Sequence, residues 1–136
     1  MTLSLGARAL MLDGFEDYLE VGSGTANFTL YHTNTALAVF PLDLIPFYPA
    51  NLDSMVADAP INSTGTEVAG TVNRFVITNQ NGDTALSGSV GAIGSGADIE
   101  LASLTVTAAA TQTLNSLVLR MDAYGTVSVE ASITLQ

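Results

Sequence analysis

Lysine, cysteine and tryptophan do not occur in this chain of 136 residues, and the only strongly basic side chains are Arg8, Arg74 and Arg120. His32 is the one histidine. Each of these gaps closes off a kind of chemistry. Without cysteine there are no disulfides, no thiolate nucleophiles and no soft metal ligands. With a single histidine, a nucleophilic triad or a zinc site within one subunit has almost nothing to draw on. Direct contact with nucleic-acid phosphates, or with an anionic membrane surface, needs clustered Arg or Lys, and three scattered arginines do not form a cluster. No apolar run approaches the ~20 residues of a membrane-spanning helix. A chain so short of bases and nucleophiles reads as a structural or binding module, not an enzyme, and no cofactor is implied.

What is present is apolar and acidic. Hydrophobic residues make up 48% of the chain and charged residues 12%, with a formal net charge of −10. Mean hydropathy is +0.40 and the isoelectric point lies near 4.1. Disordered segments show the reverse balance, so the reading is one folded domain over residues 1–136. A charged fraction about half the usual ~25% leaves little to keep a bare surface soluble. That points to a chain covered by partners, including copies of itself. The acidity is accounted for by solubility.

Near the start, Ser4 can cap a helix, and Leu5, Leu12, Phe15 and Leu19 follow on one stripe, opposite Asp13, Asp17 and Glu20. Ala9 and Glu16 share the helical spacing. This predicts one amphipathic helix over about residues 4–20, ended near Gly22 and Gly24. The apolar stretch Thr2–Leu12 runs straight into these acids and has neither the preceding charge nor the small-residue cleavage site of a secretory leader.

From residue 25 the pattern changes to period two. Strands are expected at Asn27–Tyr31, Ala36–Phe40, Thr71–Thr78, Thr84–Val90, Ile99–Thr107, Leu114–Asp122 and Thr126–Leu135. Asn79-Gln80-Asn81-Gly82-Asp83 supplies a hairpin turn between the third and fourth. All four prolines fall between Pro41 and Pro60, together with Phe47-Tyr48. Prolines bar that segment from a central strand, so it reads as a long arm with an irregular edge, exposed for contact. The fold class is mainly β: an antiparallel β-sandwich or small barrel with one N-terminal amphipathic helix.

Three segments invite a site. Gly88–Gly96 is the densest in glycine, but a phosphate loop needs a lysine and a following helix, so a tight connection or bulge fits better. Asn79, Asn81 and Asp83 alternate like the start of a calcium loop, yet Val90 stands where the closing glutamate belongs; a hairpin turn is the simpler reading. Asp98 and Glu100 add oxygens beside the glycine segment and keep weak calcium binding there open. His32, at a strand end, reads as solvent-facing or hydrogen-bonded.

Two stretches resemble a family of small proteins encoded among the structural genes of tailed bacteriophages. One is Leu3–Asp13 with its Ala7-Arg8-Ala9-Leu10-Met11-Leu12-Asp13 run, leading to the strand Ala26–Tyr31. The other begins at Gly65–Ile77. It continues through Asn81-Gly82-Asp83, Gly88-Ser89-Val90-Gly91, Gly94-Ser95-Gly96-Ala97-Asp98 and Ile99-Glu100-Leu101. Together they cover about two-thirds of the chain; the proline-rich middle and the tail beyond Asp122 depart from the family pattern. The resemblance implies a virion component, made in the host bacterial cytoplasm, and carries over no catalytic residues.

Within that setting the expected role is a capsid decoration (cement) protein that binds the mature head through the major capsid protein. Many copies on a lattice make weak contacts sufficient. The expected contact residues are Leu5, Leu12, Phe15 and Leu19 on the helix, Phe40, Phe47 and Tyr48 on the arm, and Gly91, Gly94 and Gly96 in the loop. The alternatives are a neck, tail or baseplate component and, with no tryptophan to build a sugar platform, a carbohydrate-binding module below it.

Overall fold

A computed structural model of the chain covers all 136 residues. Helix α1 (Leu5–Leu19) opens it, capped as expected by Ser4, whose Oγ accepts the Ala7 N–H at 3.1 Å. Eleven strands follow: β1 (Asn27–His32), β2 (Thr35–Pro41), β3 (Ser54–Val56), β4 (Ile61–Asn62), β5 (Gly70–Thr71), β6 (Arg74–Thr78), β7 (Thr84–Ala92), β8 (Ile99–Leu101), β9 (Thr105–Val106), β10 (Thr113–Met121) and β11 (Val127–Thr134). They form a five-stranded sheet in the order β2-β1-β6-β7-β8 and a second sheet in which β10 pairs with β11, β3 and β4. A short β5–β9 pair stands beside them. The sheets stay open and close into no barrel, so of the two expected architectures the sandwich is the one adopted.

The core follows from strand alternation. Phe28 and Leu30 of β1 pair across to Phe40 and Ala38 of β2, and to Ile77 and Phe75 of β6. Phe28 stacks on Phe75 with centroids 5.6 Å apart and meets Phe40 at 6.0 Å. Burying each such ring contributes about 2–3 kcal/mol. From the facing sheet come Leu117, Leu119, Met55 and Val129, and from α1 come Leu12 and Leu19, all in one continuous cluster. The helix packs on β10, β3 and β7.

Three expectations change. The proline-rich segment is not a free arm: β3 lies in its middle and joins the second sheet as an edge strand beside β10. Further bridges pair Phe47 with Ala57 and Asn51 with Ser54. The prolines flank that short ladder without interrupting it, which an edge strand tolerates. Thr71–Thr78 and Ile99–Thr107 each break in two, because the chain leaves one sheet for another at Val72-Asn73 and after Leu101. Finally, the sandwich is not purely antiparallel. β7 and β8 run parallel, Val90 opposite Ile99 and Ala92 opposite Leu101. Parallel neighbours usually need a crossover of a dozen residues or more. Here residues 93–98 suffice, because Gly94 and Gly96 take positive φ (+87° and +80°) and turn the chain straight back.

Candidate interaction surface

The helix stripe faces inward. Leu12 and Leu19 are fully buried and Phe15 is half-buried against the core, leaving only Leu5 outside. Phe40 and Phe47 are likewise enclosed. Leu12, Leu19, Phe40 and Phe47 are therefore core residues and not contact residues. The reason is the same for all four: an amphipathic face folds first onto its own chain, and Phe47 sits on the inward side of a ladder that the prolines hid. Tyr48, its neighbour, points outward. Gly91 closes β7 with Ser95 and Ala97 packed against it, and Gly94 and Gly96 form the exposed turn beyond.

What the proline-rich segment does present is a second set of apolar side chains. Leu44, Ile45, Tyr48 and Leu52 are 74%, 62%, 56% and 56% exposed. The segment that carries them is fastened at several points. The Ala50 N–H donates to Asp13 Oδ1 at 2.7 Å, tying the segment to α1. The Leu44 carbonyl accepts from Gln80 Nε2 at 3.2 Å, and the Ala57 N–H reaches the Leu117 carbonyl at 2.9 Å. At its tip Leu52 holds φ +57°, a left-handed conformation that strains a non-glycine residue by about 1–3 kcal/mol. Where the two ends of the segment meet lies a cleft of about 510 Å³, lined by Pro41, Asp43, Asp58 and Pro60 among others. The Tyr48 hydroxyl lies above the usual phenol range, chiefly because it hydrogen-bonds with the Asp58 carboxylate, whose charge reinforces the effect. The surface is apolar with an acidic margin.

Sequence reasoning missed two buried carboxylates. Glu67 sits in a loop knot: its Oε1 accepts from the Ser63 hydroxyl and, at 2.9 Å, from the Gly65 N–H. Ser63 Oγ in turn accepts from the Gln112 N–H at 2.8 Å. The Ser63 hydrogen bond, aided by backbone donors, holds the Glu67 carboxyl below its usual range against the opposing pull of burial. Glu16, on α1 between Leu12 and Leu19, is nine-tenths buried, and its Oε1 accepts no hydrogen bond. Burial raises its carboxyl to about 7, helped by a hydrogen bond shared with Glu20 and by the charges of Glu20, Asp17 and Asp13. One oxygen each from Glu16, Asp17 and Glu20 comes within 4.8 Å of the others. The helical spacing that placed Glu16 level with Leu12 and Leu19 was the available signal for its burial.

The other candidates resolve into local structure. Asn79 Oδ1 accepts from the N–H groups of Asn81 and Asp83, at 3.0 and 2.9 Å, making the hairpin turn. Asp98 Oδ2 accepts from the Ser89 N–H at 2.8 Å, and Glu100 Oε2 from the Gly96 N–H at 2.7 Å. These carboxylates brace the glycine-rich return and form no calcium cage there. His32 Nδ1 lies 2.8 Å from the Thr71 carbonyl oxygen, a strand-end hydrogen bond. No helix is long and apolar enough to cross a membrane. The chain matches no protein-family model, and no curated protein or solved structure shows significant similarity to it.

Proposed function

We propose that this chain is a bacteriophage virion structural protein, and within the virion a decoration protein of the mature head. One observation carries the reading: Leu44, Ile45, Tyr48 and Leu52 stand outward on a segment fastened to both α1 and the second sheet. An apolar set held rigidly in water is arranged for a partner, because ordering it on binding costs little further entropy. The scarcity of charge elsewhere on the chain supports the same reading, as do the two stretches that resemble tailed-phage structural proteins. The contact set moves accordingly, from the buried Phe40 and Phe47 to these four residues together with Leu5.

Copies per particle, counted after heads and tails are separated, test the assignment. Hundreds of copies on heads support decoration, and about a dozen copies, or enrichment with tails, would move the protein to the neck or tail. On heads, Leu52→Asn should lower occupancy while raising the stability of the free chain, since asparagine tolerates the left-handed backbone that leucine resists. Occupancy that stays at the wild-type level would remove the tip from the contact set.

A further inference from the structure

We propose that Glu16, Asp17 and Glu20 form a binding site for a calcium ion on the last turn of α1. The three carboxylates converge within 4.8 Å, a spacing that a calcium coordination sphere, about 4.6–5.2 Å across, takes in whole. Glu16 supplies the second observation. Its side chain is nine-tenths buried, it brings an oxygen within 4.8 Å of the Asp17 and Glu20 carboxylates, and its Oε1 has no protein donor. A buried carboxylate oxygen without a partner is costly, and a hard cation bound by oxygens is the ligand that satisfies it.

The chain itself has no cation to send. Arg8 donates through Nε and Nη2 to the Leu3 carbonyl. Arg74 donates to the Thr33 carbonyl at 2.6 Å and lies over the Tyr31 ring. Arg120 pairs with Glu130 in the only salt bridge of the molecule. There is no lysine, and the last turn of α1 carries no basic residue. The negative end of the helix dipole falls on the same turn and further favours a positive ligand. Three carboxylates from one turn fill one side of the ion, so water completes the rest, an arrangement that calcium's flexible geometry accepts. The place of the site gives it a consequence. The Leu19 carbonyl accepts from the Gln80 N–H at 3.1 Å, and a Cβ on Gly22 would lie 2.4 Å from the Asn81 nitrogen, so this helix end is docked closely on the β6–β7 turn. An ion here relieves repulsion where the helix is fixed to the sandwich.

Calorimetric titration of CaCl2 into the chelator-stripped full chain at pH 8 tests the site. Saturable one-to-one binding is expected, weakened about tenfold or more by Glu16→Gln and by Glu20→Gln. Glu130→Gln, on β11, should leave it unchanged. Glu16→Gln keeps the side chain's bulk and removes a repelling charge, so its melting temperature, measured without calcium, should be no lower than the wild type's. Added CaCl2 should then raise the melting temperature of the wild type and not of Glu16→Gln. Absence of saturable heat would overturn the proposal, as would affinity that both α1 variants leave intact or that Glu130→Gln weakens equally.

Discussion

Glu16 and Glu67 are the same side chain buried in the same fold, and they behave in opposite ways. Glu67 meets a hydroxyl and a backbone N–H and is held below its usual range; Glu16 is raised to about 7, first by burial and then by three neighbouring acids. Burial alone therefore does not decide what a carboxylate does to its protein. Donors outweigh burial at Glu67 by stabilising the charged form, whereas at Glu16 like charges add to what burial already does. One acid knots loops together, while the other stores repulsion at a helix end.

The largest effect should come from the knot. Ser63→Ala removes the donor to Glu67 and the acceptor of the Gln112 N–H, and should cost about 2–4 kcal/mol in chemical denaturation. The same conservative change at the two acids should then give opposite signs. Glu67→Gln should destabilise by about 1–3 kcal/mol, whereas Glu16→Gln at pH 8 in chelator-treated buffer should stabilise by about 1–2 kcal/mol. If both variants lose stability, the contrast fails.

The pH dependence of unfolding separates the two acids further. Glu67 has a lowered folded value, so its contribution is present above the unfolded value of 4.5 and is lost as pH falls through the folded one. Glu16 has a raised folded value, so the folded chain holds the proton more tightly. Without divalent cations, its contribution makes stability fall as pH rises from 4.5 to about 7. Denaturation series on the wild type and on Glu16→Gln should differ across that window and converge below it. The smallest change should follow Glu20→Gln, which removes one repelling neighbour and should flatten the Glu16 slope by about 0.5 kcal/mol.

Much of the architecture was readable from local pattern. Ser4 and the spacing of Leu12 and Leu19 marked α1, and Asn81-Gly82 marked the β6–β7 hairpin, because caps and turns are decided by neighbours in the chain. The inward face of that stripe was a tertiary matter, and so was β3, whose partners in β10 lie some sixty residues away. Glu16 was partly visible, since it shares a helical face with two buried leucines. Glu67 gave no signal at all. Ser63 and Gly65 lie close to it in the chain, but only the folded loop, with Ser63 held by the distant Gln112, turns them onto its carboxylate. Of the expected contacts, Leu5 and Tyr48 stand exposed with Gly94 and Gly96, while the larger apolar candidates went to the core.

The parallel return between β7 and β8 works as a ruler. A surface loop dense in glycine looks tolerant of any change in length, and most loops are. This one spans residues 93–98 and delivers Ile99 opposite Val90, with Asp98 and Glu100 bracing it. A slip of one residue would carry Ile99 and Leu101 from the core face to solvent. Added residues at the exposed Gly94–Gly96 tip can bulge outward. A deletion between Ile93 and Asp98 would leave too little chain for the return and force that slip, so this turn can gain length and not lose it.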